Sequence, residues 1–259
     1  MPLRSDIFRF RPLMVVLAAA ALLLALAGCA SAPTDRGEVK AEPMTSQDLI
    51  QSDVNRMATL GMRDNLTSIY LLADKLYRRN PKEWRKGAAA SRETALQTLR
   101  ESIEGRQPWP ALGERRDIQA LALSLQPEFQ GDRVAAFCHA LADMIITAHG
   151  GKTSFHLLDG LDAQTVYNAA RNVEIAVWLL AQRRDAAGRP LLLADEIGPQ
   201  GRNLSFEREF GKIIARLDLL AEVTSEKYRR AVVSYVQSFV GGTLLQFLPV
   251  GTLAASVTP

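Results

Sequence analysis

Cysteine and histidine are scarce in this chain. Only two of the 259 residues are cysteine, Cys29 and Cys138, and only three are histidine. A disulfide framework needs four or more cysteines, so a disulfide-stapled scaffold is excluded. The domain must instead be stabilised by a hydrophobic core, and a hydrophobic content of 47% over this length is sufficient to build one.

A large excess of positive charge is also missing. The chain has 31 Lys and Arg against 28 Asp and Glu, and residues 1–28 hold three of the basic and one of the acidic residues, which leaves 28 against 27 in the remainder. Nucleic-acid-binding proteins normally carry a strongly basic surface for phosphate contacts. The composition therefore gives no support for a nucleic-acid partner, and we predict none.

No segment alternates apolar and polar residues for long enough to predict a pair of strands. Apolar residues recur instead at spacings of three and four, as in amphipathic helices, and Ser91, Asp132 and Asp162 stand at expected N-caps. We predict an all-α domain over residues 45–259, an irregular helical bundle, with stacked helix pairs of the tetratricopeptide type as the alternative. The predicted helices, about eight, cover 45–58, 64–79, 91–104, 116–125, 132–149, 162–187, 205–220 and 224–239.

The first 28 residues have the pattern of an export signal. Arg4, Arg9 and Arg11 precede the sixteen residues 13–28, which contain no charged or polar side chain. A bilayer-spanning helix needs about 20 apolar residues, so the shorter run predicts a signal peptide that is cleaved. The alternatives are an uncleaved signal anchor, or cleavage nearby that leaves Cys29 as a free thiol.

Leu26-Ala27-Gly28-Cys29 resembles the lipobox of bacterial lipoproteins. The resemblance implies that Cys29 becomes the first mature residue, with a diacylglycerol thioether and an acylated N-terminus. In that family an aspartate after the cysteine retains the protein at the inner membrane, whereas this chain has Ala30, which implies the outer membrane, facing the periplasm. Residues 29–44, CASAPTDRGEVKAEPM, are predicted to form a flexible tether.

The three histidines, His139, His149 and His156, lie within 18 residues of one another. On one continuous helix, the first two are about 15 Å apart along the axis, which is too far to share a metal ion. His139 with Asp143, or His149 with His156, remain possible pairs. Because neither pair supplies enough ligands, we predict no metal and no cofactor, and these four residues are the only candidates for a catalytic site.

Other motifs of catalysis are incomplete. Gly151-Lys152-Thr153 resembles the end of a phosphate-binding loop, but Ile146 stands where that loop requires its first glycine. No Gly-x-Ser-x-Gly turn is present, and Cys138 has the position of an apolar filler on a helix. Residues 195–201, DEIGPQG, are predicted to form a turn, with two carboxylates at a pocket rim as the alternative.

The strongest local charge feature is the segment 75–86, KLYRRNPKEWRK, which has six basic residues and two aromatic ones. Beside a lipid anchor, such a segment suits anionic headgroups or an acidic partner. The alternative is a solvated helix end whose cations interact favourably with the helix dipole. The candidate binding residues are Lys75, Arg78, Arg79, Lys82, Trp84, Arg85 and Lys86.

The C-terminal segment 236–250, VQSFVGGTLLQFLPV, is unusually apolar. Gly241-Gly242 and Pro249 are expected to interrupt a helix here, and the segment is too short to span a bilayer. We predict a tail that is tucked into the core. A segment that dips into a membrane or binds a partner is the alternative.

These patterns predict a lipid-anchored envelope protein with a binding, assembly or structural role and without catalysis. Its expected partners are the membrane, through Cys29, and an envelope protein or cell-wall component. The alternative function is an envelope hydrolase with its site near residues 139–156.

Overall fold

The computed structural model describes residues 51–87, 89–156, 159–198 and 201–246. This part of the chain is mostly helical, which confirms the all-α prediction, and its two short strands form one antiparallel hairpin. A 3₁₀ turn (Pro110–Leu112) lies between the third and fourth helices. The elements are α1 (Asp53–Arg79), α2 (Pro81–Trp84), α3 (Arg92–Glu104), α4 (Asp117–Ser124), α5 (Arg133–Ala148), α6 (Ala163–Gln182), β1 (Glu196–Gly198), β2 (Gly201–Asn203) and α7 (Ser205–Gln246).

Several predictions concern residues outside this part of the chain: the signal peptide (1–28), Cys29, the tether (29–44) and the end of the apolar C-terminal segment (247–250). All described residues belong to one compact unit. Among them, no helix has the length and apolar character needed to cross a bilayer.

Two helices are longer than the sequence predicts. The predicted segments 45–58 and 64–79 contribute to a single helix, α1, of 27 residues, and the two segments after residue 205 form one helix, α7, of 42 residues. Gly61 inside α1 has open space where a Cβ would lie. A glycine there costs about 1 kcal/mol of helix propensity without ending the helix. Gly241-Gly242 lies inside α7, so the predicted interruption at this pair is wrong.

Polar side chains cap the helices where the sequence predicts them. Ser91, Asp132 and Asp162 accept hydrogen bonds from backbone N–H groups in the first turns of α3, α5 and α6. The cap of α7 comes from the hairpin segment, because the Asp195 carboxylate accepts two N–H groups of the first turn at 3.2 and 3.0 Å. Each cap satisfies donors that a helix start leaves without partners.

Four helices, α1, α5, α6 and α7, form an antiparallel bundle in which α7 lies between α1 and α6, and α5 contacts α1 and α6. This arrangement is an up-and-down bundle and not a stack of repeated helix pairs, so the tetratricopeptide-like alternative is wrong. Contacts between neighbouring helices show that each pair runs antiparallel. The contacts are Lys75 with Ser205 and Ser68 with Arg216 between α1 and α7, Arg171 with Asp218 between α6 and α7, Tyr77 with Asp132 between α1 and α5, and Thr165 with Ala148 between α5 and α6.

The central helix of the domain is α5. Every residue from Arg133 to Ile146 is buried, because α3 and α4 pack against α5 in addition to its neighbours in the bundle. Phe137 of α5 meets Phe210 of α7 edge to face, with ring centroids 6.4 Å apart. The N-terminal end of α5 lies close to α1, α2, α3 and the 3₁₀ turn, and a cavity opens there.

Candidate functional site

A cavity of about 500 Å³ opens between α3, the end of α2 and the 3₁₀ turn. Trp84 and Trp109 are its aromatic walls, and Tyr77 and Asp132 are its buried polar floor. We call this cavity the tryptophan pocket. Ligand sites in proteins are typically concave, largely apolar and of this volume, with a few polar groups that fix orientation. Small residues complete the walls: Ala89, Ala95, Pro110 and Ala111.

Trp84 is held in place by its neighbours in sequence and in space. It ends α2, a single helical turn that begins at Pro81. The Asn80 side chain anchors this turn, because it donates to the Leu193 carbonyl at 2.9 Å and accepts the Leu193 N–H at 2.8 Å. The Arg85 guanidinium lies 5.0 Å from the centre of the Trp84 ring, a cation–π distance. The first wall of the pocket is therefore fixed in orientation.

Trp109 is positioned by a histidine of α5. Its ring centre lies 5.8 Å from that of His139, and the His139 Nε2–H donates to the Gln107 carbonyl at 2.9 Å. Burial lowers the pKa of His139, although the bond to Gln107 opposes the shift. The neutral imidazole thus supports the loop that carries Trp109. The loop then turns at Gly113, whose φ of 59° lies in the region that favours glycine.

The polar floor is internally satisfied. The Tyr77 hydroxyl donates to Asp132 Oδ2 at 2.6 Å, and Asp132 Oδ1 accepts the Ala135 N–H at 3.0 Å. Burial raises the pKa of the Asp132 carboxyl, against the effect of these hydrogen bonds. Burial and the charge of Asp132 together raise the pKa of the Tyr77 phenol, which therefore stays protonated. The floor supplies shape and rigidity, because the Asp132 carboxylate joins α1 to the start of α5.

The charged residues near the pocket are also paired. Glu83, which is 8% exposed, accepts Lys86 Nζ at 2.8 Å with both carboxylate oxygens and the Arg133 N–H at 2.9 Å. This carboxylate thereby ties α2 to the start of α5. Thr94 and Thr98 of α3 are exposed and line the mouth of the pocket.

The tryptophan pocket is lined mainly by apolar atoms. Among the described residues, its lining contains no cysteine, serine or histidine. Cys138 is fully buried on α5, and burial raises the pKa of its thiol, which keeps it in the unreactive protonated form. Indole rings bury large apolar areas at little cost in side-chain entropy, so two tryptophans in one lining suit an apolar or aromatic ligand group.

The residues predicted around the histidines lie at two separate places. His139 and Asp143 are one turn apart on α5. The Asp143 carboxylate accepts Arg116 Nε at 3.2 Å and Arg116 Nη2 at 2.8 Å, and lies 3.9 Å from Arg106. Burial acts to raise the pKa of Asp143, but the bonds from Arg116 and the charges of both arginines outweigh it and lower the pKa. Asp143 thus fastens the start of α4 to α5.

His149 is the C-terminal cap of α5, and His156 lies in the loop that follows. The His149 Nδ1–H donates to the Ile145 carbonyl at 2.7 Å, and its ring centre lies 5.8 Å from that of Phe155. His156 donates its backbone N–H to Asp159 at 2.7 Å. In the part of the chain that the structure describes, no group of three or more His, Cys, Asp or Glu side chains is arranged to hold a metal ion. The four predicted residues therefore do not form one site.

The buried His149 predicts a loss of stability in acid. Burial lowers the pKa of His149 below 6.5, while the bond to Ile145 opposes the shift. The unfolded chain then binds a proton more tightly than the folded one, so this stability is complete above pH 6.5 and falls as the pH drops below it. The free energy of unfolding changes by at most about 1.4 kcal/mol per pH unit for each such histidine. Urea unfolding between pH 7.5 and pH 5 measures it.

The control for this pH effect is His149→Gln, which removes the titrating ring and retains a polar side chain. We expect the slope to decrease in this variant, and the part due to His139 to remain, because burial lowers the pKa of His139 in the same direction. An unchanged slope in the variant would contradict the assignment to His149.

Some basic residues of the segment 75–86 form contacts within the domain, and others lie at or near the tryptophan pocket. Its helical part is used within the domain, whereas Lys82 and Arg85 are exposed beside Trp84, and Lys86 lines the pocket. The structure thus brings the aromatic and the last basic residues of this segment to the same place. The contacts of the helical part are Lys75 with the Ser205 carbonyl at 2.6 Å, Arg78 with Asp74 at 2.8 Å, and Arg79 with Glu196 at 2.5 Å.

The predicted turn at 195–201 belongs to the β-hairpin. Asp195 and Glu196 do lie on the lining of a second cavity, of about 480 Å³ and mostly apolar. Both carboxylates already have partners, because Asp195 caps α7 and Glu196 pairs with Arg79. They stabilise the junction between the hairpin and the bundle.

Sequence reasoning missed three residues of the tryptophan pocket. Trp109 lies in a loop with no periodic pattern, and only the tripeptide Pro108-Trp109-Pro110 marks it. Asp132 was predicted as a helix cap, which is confirmed, and Tyr77 lies in the predicted helix 64–79 and is buried. The sequence does not show that Asp132, 55 residues after Tyr77, lies close enough for its carboxylate to accept the Tyr77 hydroxyl.

Comparison of the chain with protein-family models, with curated proteins and with solved structures finds no match.

Proposed function

We propose that this chain is a lipid-anchored bacterial envelope protein whose helical domain binds a partner through the tryptophan pocket, without catalysing a reaction. The lipobox-like residues 26–29 support the anchor on Cys29, since several acyl chains hold a protein on a membrane whereas one does so only weakly. Ala30 after the cysteine supports the outer membrane, on the periplasmic side. The partner is an envelope protein or a cell-wall component.

The tryptophan pocket is the observation that carries this proposal. Two aromatic walls and small apolar residues enclose about 500 Å³, while the polar floor has its hydrogen bonds satisfied. Recognition therefore depends on an apolar or aromatic group that the partner inserts between Trp84 and Trp109. Thr94 and Thr98 at the mouth supply hydrogen bonds to the surrounding part of the partner.

A hydrolase is not favoured by any specific observation. His139 supports the loop of Trp109, Asp143 is held by Arg116, and His149 packs against Phe155 at the far end of α5. His149 Nε2 and His156 Nδ1 are buried without a hydrogen-bond partner among the described residues. A hydrolytic site also needs a nucleophile or a metal-bound water, however, and the described residues show no group of three metal ligands.

Photocrosslinking in cells tests the proposal. A photoreactive phenylalanine derivative is placed at Thr94 in the full chain, which is then purified from membranes in detergent. We expect one dominant adduct, and we expect Thr98→Trp to decrease it at least about tenfold, because an indole at this position fills the pocket. Mass spectrometry of the adduct identifies the partner, and the N-terminal peptide of the same sample is expected to carry the lipid on Cys29.

Gln97→Trp is the matched control, since Gln97 is the exposed neighbour of Thr98 on α3 and does not line the pocket. The adduct should persist in this variant. An adduct that survives Thr98→Trp equally well refutes binding through the pocket, and an unmodified Cys29 refutes the anchor.

A further inference from the structure

Large apolar side chains are exposed on the side of α6 that points away from the bundle. Tyr167, Ile175 and Trp178 are 45%, 51% and 62% exposed. With 3.6 residues per turn, the three side chains lie within an arc of about 80°, opposite the buried residues of α6. Exposed aromatic residues that share one helix face are typical of protein interfaces. We call these three residues, together with Arg171 and Glu174 between them, the outer face of α6.

Arg171 is the central residue of the outer face and is held by its own chain. Its guanidinium lies 5.0 Å from the centre of the Tyr167 ring. It pairs with Glu174 at 3.1 Å and with Asp218 of α7 at 2.7 Å. The Arg171 side chain is nevertheless 36% exposed, so a further group can contact the guanidinium from outside.

The outer face is complementary to itself under a two-fold rotation. We consider two copies of α6 packed antiparallel, with the axis at the midpoint of residues 172–173. Tyr167 of one copy then lies opposite Trp178 of the other, because each is about 8 Å along the helix from the axis. Arg171 lies opposite Glu174 in the same way, each about 2 Å from the axis. Aromatic groups therefore meet aromatic groups, and opposite charges meet.

The charges at the two ends of α6 also favour the antiparallel arrangement. Arg183 and Arg184, both exposed, follow the last residue of α6. Asp162 caps its first turn, and Glu222 of α7 lines a cavity with the first residues of α6. An antiparallel pair brings the basic end of one copy beside the acidic end of the other, whereas a parallel pair brings like charges together.

We propose that two copies of this chain associate through the outer face of α6, as an antiparallel helix pair with two-fold symmetry. In this pair, Trp178 of the second copy covers the Arg171 guanidinium on the side away from Tyr167. A membrane surface suits the outer face less well, because helices that bind in the interface carry an excess of Lys and Arg. Here Arg171 is balanced by Glu174.

The size of the outer face indicates a weak dimer. The 20 residues of α6 give a face of about 30 by 10 Å, which is less than the roughly 800 Å² per partner of standard interfaces. The dimer leaves the tryptophan pocket accessible, because none of the described residues that line this pocket belongs to α6. Dimerisation and binding through the pocket can therefore be tested separately.

Thiol crosslinking in cells tests the proposal with two differently tagged copies of the full chain. One copy carries Gln164→Cys and the other Gln182→Cys, which are exposed positions near the two ends of α6. They lie about 13 and 14 Å from the proposed axis on opposite sides, so they meet in the antiparallel pair. We expect a short bis-maleimide to join the two different variants at least about tenfold more than either variant with itself, because like positions are about 26–28 Å apart.

The controls use exposed apolar residues on two helices. Trp178→Glu should decrease the mixed crosslink at least about tenfold, because it places a charge inside the interface. Leu71→Glu should leave it unchanged, since Leu71 is also exposed, at 44%, but lies on α1, which is not a neighbour of α6 in the bundle. Cys138 is fully buried, and mass spectrometry of the crosslinked peptides separates any product of Cys29.

Three results would overturn the proposal. The first is the absence of a mixed crosslink, or one that persists in Trp178→Glu. The second is self-crosslinking of Gln182→Cys as efficient as the mixed reaction, which indicates a parallel pair. The third is a crosslink from both positions to a different protein and none to a second copy, which assigns the outer face to that protein.

Discussion

Arg133→Ala is expected to lower the free energy of unfolding by about 3 kcal/mol. The Arg133 guanidinium is buried, with the residue 4% exposed, and donates to three carbonyls, those of Ser124 at 2.5 Å, Gln126 at 2.7 Å and Phe129 at 3.0 Å. Alanine leaves these carbonyls without their donor, and a buried unsatisfied group costs about 1–3 kcal/mol. Urea unfolding monitored by circular dichroism measures the loss.

Two further variants define what Arg133 contributes. Arg133→Lys keeps the charge, but a single ammonium does not reach three carbonyls in the geometry of a guanidinium, so we expect a loss nearly as large as with alanine. Arg115→Ala removes an exposed arginine and should change the stability by no more than about 0.5 kcal/mol. Equal stabilities of Arg133→Ala and Arg115→Ala would show that the three hydrogen bonds do not hold the segment.

The segment that Arg133 holds leads directly to the tryptophan pocket. The three carbonyls belong to residues 124–129, between α4 and α5, and the chain then passes through Gly131 and Asp132, which line the pocket. A Cβ at Gly131 would lie 2.9 Å from the side chains of Ala111 and Phe129. The close approach of Gly131 to these two side chains requires a glycine at this position and a fixed conformation of the loop between α4 and α5. Loss of the guanidinium is therefore expected to deform the pocket as well as to destabilise the domain.

The sequence predicted the helices because local signals determine them. Ser91, Asp132 and Asp162 begin helices as expected, and the periodic apolar residues are the buried ones. The boundaries inside α1 and α7 were wrong because a glycine or a cap residue within a helix is a weak signal. Thr224, the first residue of the predicted helix 224–239, is instead a buried residue in the middle of α7, where packing against α1 and α6 outweighs local preference.

The candidate site was predictable only in part. Trp84 and Lys86 were selected from a basic and aromatic segment, and both line the pocket. Trp109 was not selected, because its position depends on His139, 30 residues away. The closeness of the histidines in sequence was misleading for a related reason: His139 lies in the middle of α5 and His149 at its C-terminal cap, and the two rings pack against different loops.

Asp132→Ala is expected to cost about 3 kcal/mol as well, through two separate losses. The N-cap of α5 disappears, which costs about 1 kcal/mol. The Tyr77 hydroxyl, on a side chain that is 1% exposed, is left without its acceptor, which costs about 1–3 kcal/mol. Because burial raises the pKa of Asp132, the ionised carboxylate is itself unfavourable there, and Asp132→Asn, which keeps an acceptor, should lose clearly less stability than alanine.

A double-mutant cycle with Tyr77→Phe isolates the bond between phenol and carboxylate. Tyr77→Phe alone should cost about 1 kcal/mol, because Asp132 keeps its bond to Ala135. In the double variant no hydroxyl is stranded by the loss of the carboxylate, so the combined loss should be smaller than the sum by about 1 kcal/mol or more. Unfolding in urea gives all four free energies. If the losses simply add, the hydrogen bond does not stabilise the floor, and the shape of the pocket must depend on the packing of Trp84 and Trp109 alone.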